Sequence, residues 1–302
     1  MTISATMVRD LRDKTGAGIM ECKAALAEAS GDLDKAVEVL RKRGLKVAEK
    51  KAGRVAADGL VAAWTAPAGD VGALVEINCE TDFVARTDKF VGLAQSLVAL
   101  VAADPAAADV GTLAARELNG RPVADVVKEL IGSIGENIVV RRAARLAVPA
   151  GASGLVVHYR HAGGKIGVLL GLRCASDKTA KSEEVTKLAK DLALQVCSAE
   201  PGYVTRDEVP AAVLDQERDI LRAQPDLQGK PAAIQDKIIQ GRLEKFYAER
   251  CLVDQLFIRD PEGKQKVKDI VAATQKAVGE PVSILGFARL RLGDGVARRA
   301  AE

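Results

Sequence analysis

The sequence has 302 residues, 48% of them hydrophobic and 3% aromatic, enough apolar material for several compact units. Its 44 basic and 41 acidic residues leave a net charge of +3, which argues against nucleic acid as the main ligand and for a protein surface as the partner. The N-terminus, MTISATMVRDL, lacks a secretory h-region, and no segment approaches the roughly 18–20 apolar residues of a membrane span. Cys22, Cys79, Cys174, Cys197 and Cys251 form no CxxC pair, so they read as small buried hydrophobes of a reducing cytoplasm, not as a zinc site or disulfide framework.

Three short helices are predicted over residues 1–45. Ser4 caps the first, which carries Val8 and Leu11; Ile19, Cys22 and Leu26 line the second. Asp32 caps the third, with Leu33, Val37 and Leu40 on its stripe, and Gly44 is expected to close the unit. Helices this short are stable only when packed together. Residues 41–54, RKRGLKVAEKKAGR, hold seven basic residues and one acid. With no aromatic to stack on a base, they read as a solvated linker (46–58) in preference to an RNA-binding arm.

An internal repeat follows. Residues 59–79, GLVAAWTAPAGDVGALVEINC, align without a gap on residues 154–174, GLVVHYRHAGGKIGVLLGLRC. Gly59/Gly154, Leu60/Leu155, Val61/Val156, Gly69/Gly164, Gly72/Gly167, Leu74/Leu169 and Cys79/Cys174 are identical. The second half of each copy alternates at period two (Val71, Ala73, Val75, Ile77; Ile166, Val168, Leu170, Leu172), which predicts a strand buried on one face. The glycine-rich middle supplies a hairpin turn, and a helix is expected after each copy, over 87–101 and 183–197. The fold class is therefore α+β: a helical bundle followed by a duplicated core (59–150; 151–205 with 280–295). Between 206 and 256, Val213/Ile220 and Leu214/Leu221 recur at seven and Ile234, Ile238 and Phe246 resume a stripe after QPDLQGKP, which predicts a coiled-coil helical hairpin. Asp260-Pro261 is expected to cap a helix reaching Val278 within a C-terminal module (257–279), and a last strand over 283–292 returns to the core.

No constellation supports enzymatic chemistry. Gly16-x-Gly18 lacks the third glycine of a dinucleotide loop, and Gly163-Gly164-Lys165 is followed by Ile166 where a phosphate loop needs Ser or Thr. His158 and His161, three apart, fall on opposite faces if both lie on a strand, so they share no metal. No cofactor and no metal are expected. The repeat isolates one unusual position. Thr81-Asp82 and Ser176-Asp177 occupy matching places after the central strands, where Asp82 reads as a helix cap. Phe83, however, stands where the second copy has Lys178, either packed under its helix or offered to a partner.

TGAGIMECKAAL (15–26), KKAGRVAADGL (50–60), INCETDFVAR (77–86), GENIVVRR (135–142), HAGGKIGVLL (161–170) and GFARLRLGDG (286–295) together resemble, in order, the signatures of the elongation factor Ts family. The resemblance covers essentially the whole chain. It implies a ubiquitin-associated-like N-terminal bundle, a two-subdomain core, a coiled-coil hairpin and a C-terminal module. It also implies a nucleotide exchange factor, not an enzyme, working on elongation factor Tu in the cytoplasm. Thr81, Asp82, Phe83 and Val84 would form the loop that intrudes near the partner's nucleotide and displaces its magnesium ion. Leu11, Arg12, Ile19 and Met20 would face the partner's GTPase domain, and His161 its far domain. The hairpin could pair two copies into a homodimer or stay exposed. Three other readings compete: a general ubiquitin-associated-like adaptor, which leaves the duplicated core unexplained, an RNA-binding translation factor resting on the basic stretch, and an enzyme, which has no constellation to rest on.

Overall fold

The computed structural model describes residues 3–227 and 229–296. It is α+β. Helices α1 (Ala5–Thr15), α2 (Ile19–Glu28) and α3 (Leu33–Lys51) form the N-terminal bundle. Ser4 accepts from the Met7 N–H and Asp32 from those of Asp34 and Lys35, while Gly16 ends α1 in the left-handed conformation. Leu11, Cys22, Ala25, Leu26 and Ala36 make the bundle's buried centre.

The first core half is β1 (Asp58–Thr65), β2 (Val71–Cys79), the one-turn α4 (Asp82–Ala85), α5 (Asp88–Ala103), α6 (Val110–Ala115), a two-residue ribbon β3 (Glu117–Leu118) and β4 (Arg121–Pro122), α7 (Val123–Ile134) and β5 (Val139–Ala147). The second is β6 (Ser153–Arg160), β7 (Ile166–Cys174), the one-turn α8 (Asp177–Ala180) and α9 (Glu183–Ala199). Helices α10 (Ala211–Arg222) and α11 (Ala232–Arg250) intervene before α12 (Val267–Val278) and β8 (Val282–Arg291) complete it. Each half is a three-stranded antiparallel sheet, ordered β1-β2-β5 and β6-β7-β8.

The two central strands are buried on both faces, not on one as their alternation predicts. Ala73, Val75, Ile77 and Cys79 of β2 face α5, α6 and α7, as Val168, Leu170 and Leu172 of β7 face α9 and α12. On the opposite faces Val61, Ala63, Leu74, Leu169 and Leu290 meet in a separate cluster, so the sheets pack against each other and the helices form the outer layers. Gly72 and Gly167, the same position of the two copies, make this approach possible. A Cβ on Gly72 would lie 2.8 Å from Leu169 Cδ2 and 2.9 Å from Val156 Cγ1; one on Gly167 would lie 2.6 Å from Val61 Cγ1.

The duplication extends further than the hairpins. Gly135-Glu136 after α7 and Gly279-Glu280 after α12 each lead into a third strand, and Ala144-Arg145-Leu146 of β5 matches Ala288-Arg289-Leu290 of β8. Both third strands carry a register shift at the same place, opposite Glu76/Ile77 and Gly171/Leu172. Arg145 Nε donates to the Ala102 carbonyl at 3.1 Å and Arg289 Nε to that of Cys197 at 3.4 Å, each satisfying an end carbonyl of the long covering helix.

Several expectations are corrected. Helix α3 does not end at Gly44 but runs to Lys51, so much of the basic stretch is helix and not linker. Gly44 crosses Gly132 of α7 so closely that a Cβ on Gly132 would sit 2.5 Å from Gly44 Cα. That packing outweighs the roughly 1 kcal/mol cost of glycine in a helix. Asp260 caps no helix: its carboxylate accepts from the N–H groups of Glu262, Lys264 and Gln265 in a loop, and α12 starts at Val267 with Asp269 reaching back to the Lys266 N–H. Helix α10 packs on α11 through Leu221, Ile239 and Leu243, with Leu227 from the connection between them, whereas Ile220 is 53% exposed and lies outside this cluster.

Gly72→Ala is expected to destabilise the protein by about 1–3 kcal/mol through overpacking. Gly92→Ala, at an open position of α5 with nothing within 4 Å, is expected to stabilise it by about 0.5–1 kcal/mol. Denaturant unfolding of the two variants checks the contrast.

Candidate functional site

The chain leaves the sandwich after Cys79 and must turn to reach α5 on the outer face. Thr81 is extended and caps α4, its hydroxyl accepting from the Val84 N–H at 3.5 Å. Thr81, not Asp82, is therefore the cap. Asp82 is the first helical residue and pairs with Arg86 at 2.8 Å on the exposed side. Ser176 caps α8 in the second copy in the same way, accepting from Thr179 N–H at 3.2 Å.

Ala85 is buried and Val84 half-buried against the first core, so this side of the turn is pinned down. Phe83 on the other side is 80% exposed, the most exposed large hydrophobic side chain among the described residues. The ring does not pack under its helix. An apolar side chain of this size left in water at a one-turn helix forgoes about 2–3 kcal/mol of burial. Lys178, at the equivalent position, is exposed as well and at home in solvent.

The backbone leading to Phe83 is tied down by residues far away in sequence. Glu136 accepts from the Glu80 N–H at 3.1 Å, the Thr81 N–H at 3.0 Å and the Thr81 hydroxyl at 2.6 Å. Glu80 returns the contact, its carboxylate accepting from the Asn137 N–H at 2.7 Å and lying 3.4 Å from Arg54. Asn137, buried, donates to the Arg54 carbonyl at 2.7 Å, and Lys51 donates to the Gly135 carbonyl. Cys79 Sγ donates to the Thr81 carbonyl at 3.1 Å; burial, helped by the charges of Glu136 and Asp58, pushes its thiol up to about 12, so it stays a thiol. Lys51, and Arg54 although still exposed, thus contribute to this network.

The remaining candidates divide. Leu11 is fully buried in the bundle and is a core residue, not a surface contact: its side chain fills the gap between the helices. Arg12 is exposed, and with Ile3, Val8, Ile19 and Lys23 it lines a shallow depression on the bundle. Ile19 and Met20 are 55% and 75% exposed. His161 is exposed just beyond the end of β6, 3.4 Å from the Tyr159 hydroxyl, and is not on the strand. His158 instead meets Thr65 Oγ1 of the first half at 2.7 Å. No helix among the described residues is long and apolar enough to cross a membrane, and none of their His, Cys, Asp and Glu side chains gather in threes as a metal site would require.

Against this geometry stand the comparisons with known proteins. The family model described as "Elongation factor TS" matches residues 80–294, from the residue before the Thr81 cap to the turn after β8. The chain belongs to the elongation factor Ts family. Curated relatives agree over essentially full length. "Elongation factor Ts" of Magnetococcus marinus is 43% identical over 304 aligned residues, covering 100% of this chain and 96% of its own. The proteins of the same name from Clostridium perfringens and Paramagnetospirillum magneticum are also 43% identical, covering 98% and 99% of this chain and 95% and 94% of their own.

Sequence reasoning missed Glu136. Its partners lie more than fifty residues earlier. The signal that could have found it is the Gly-Glu pair repeated before β5 and β8.

Leu11→Ala is expected to cost about 2–5 kcal/mol of stability, and Met20→Ala to stay within about 0.5 kcal/mol of the parent. Thermal melts followed by circular dichroism distinguish the buried from the exposed position.

Proposed function

We propose that this chain is a guanine-nucleotide exchange factor for elongation factor Tu. It binds the GDP-bound partner, disturbs the magnesium and phosphate site, and releases GDP so that GTP can bind during translation elongation. The observation that carries this reading is Phe83, an aromatic ring held out in water at the tip of a turn whose backbone is tied down on both sides. Family membership gives the reading its partner. No covalent step is required of the chain, and GTP is favoured only because it is the more abundant nucleotide.

Exchange is a coupling between two ligands of the partner. A factor that prefers the nucleotide-free state weakens GDP by the same factor by which GDP weakens it. Burying Phe83 supplies about 2–3 kcal/mol, while a thousandfold weakening of GDP needs about 4 kcal/mol. Further surfaces must therefore contribute. Arg12, Ile19 and Met20 on the bundle offer an exposed apolar and basic patch for the GTPase domain, and His161 a second contact on the core's other half. Asp82 must leave Arg86 to act on the magnesium shell; an exposed pair of this kind costs about 1 kcal/mol or less to break. In the same reading the bundle is a ubiquitin-associated-like module, residues 206–256 are a coiled-coil hairpin able to pair two copies, and residues 257–279 are a C-terminal contact.

Phe83→Ala is expected to slow release of a fluorescent GDP analogue from elongation factor Tu by about tenfold or more, the rate equivalent of ~1.4 kcal/mol per decade, with an unchanged melting temperature. Release at the parent rate would remove the basis of the proposal.

A further inference from the structure

The duplicated core contains an internal control for its own turn. Both copies follow a central strand with a hydroxyl cap and a one-turn helix, and both bring a glutamate to that cap from the segment just before the third strand. In the second copy Glu280 accepts from the Ser176 hydroxyl at 2.8 Å and from the Thr179 hydroxyl, bonds that hold its carboxyl below the usual carboxylate range. These are side-chain bonds only. In the first copy Glu136 takes the Thr81 hydroxyl and also two consecutive backbone N–H groups, of Glu80 and Thr81. The contact has moved from side chains to the main chain in the one copy whose tip carries an exposed ring.

We infer that Glu136 is the positioning residue for exchange: it presets the backbone in front of Phe83 so that the ring docks without first being ordered. This rests on the proposed function above. Glu136 itself is set back from the tip and touches no partner in this role. The physical need is plain. A four-residue helix cannot hold its own conformation, and ordering two or three loose residues at the moment of docking would draw on the coupling that is meant to expel GDP. A carboxylate accepting three bonds, two from the main chain, removes that cost beforehand. The reciprocal bond from Asn137 N–H to Glu80 makes the arrangement a two-way clamp.

The test compares variants in GDP release from elongation factor Tu, with rate measured against factor concentration. Glu136→Ala should lower the maximal release rate by about tenfold, about 1.4 kcal/mol. Its half-saturating concentration should change less than about twofold, since the other surfaces are untouched. Glu136→Gln is the rescuing variant. Its amide oxygen can accept both N–H groups and its amide nitrogen can donate to the Thr81 hydroxyl, so it should remain within about threefold of the parent. Glu280→Ala, the matched truncation in the copy without a ring, should release GDP like the parent at a similar loss of melting temperature.

Parent-like release by Glu136→Ala beside slow release by Phe83→Ala would overturn the inference while leaving the exchange reading standing. Equal slowing by Glu136→Ala and Glu280→Ala would overturn it too, by assigning the loss to general stability. Parent-like release by Phe83→Ala would fell the exchange reading itself, and the inference with it. Should Glu136→Ala not fold, Thr81→Val removes the hydroxyl from the clamp and should give the same split: a lower maximal rate at an unchanged half-saturating concentration. A parent-like rate there counts against the inference.

Discussion

Two sheets pressed together at a pair of glycines are what the rest of the molecule depends on. Gly72 and Gly167 leave room for Leu169, Val156 and Val61, and this lets β2 and β7 be buried on both faces. The cost is that polar residues on the inner face must find partners without water, which the buried Asn78 amide does not do among the described residues. Glu76, fully buried, does so by taking Arg142 Nε at 2.5 Å and the Gly293 N–H at 2.8 Å, which ties the turn after the last strand to the first sheet. The seam thus joins the two halves by packing, by the Gly293 N–H bond to Glu76 and by a bond from the Arg142 guanidinium to the Arg291 carbonyl at 2.6 Å.

With both faces of the central strands occupied, the chain can reach its covering helix only by a turn at the end of the strand. Each half makes that turn with the same parts: a hydroxyl cap, a glutamate from the segment just before the third strand, and an arginine of that strand bonded to the far end of the long helix. On so similar a frame the contrast between Phe83 and Lys178 has meaning. The second copy shows what the turn needs for folding, and the first shows what has been added. An exposed aromatic ring and a main-chain clamp appear together, in one copy only. Uniform duplication would have supplied neither or both.

The hairpins were legible because a period of two and central glycines are local signals. The burial of both strand faces was not, since Glu76 and Asn78 look like solvent-facing residues until Arg142 and the second sheet are placed over them. Strand β5 escaped notice for a related reason. VVRRAARLA reads as polar, yet Arg142 is used in the buried pair and Arg145 on a helix end. Gly44 carries a helix-ending signal that a close crossing with Gly132 overrides, and Leu11 sits on a stripe whose inward side only packing reveals. Thr81 and Asp82 both suit a cap; which one serves depends on backbone angles that sequence does not show. The exposure of Phe83 was readable in outline, because comparison with Lys178 marks the position as solvent-facing.

The most direct measurement places a photo-crosslinking phenylalanine analogue at position 83 in one sample and at position 178 in another, each mixed with elongation factor Tu stripped of nucleotide. The account predicts a crosslink from position 83 into the partner's nucleotide-binding domain, suppressed by excess GDP, and none from position 178. Absence of a crosslink at 83, or equal crosslinking from both positions, would contradict it.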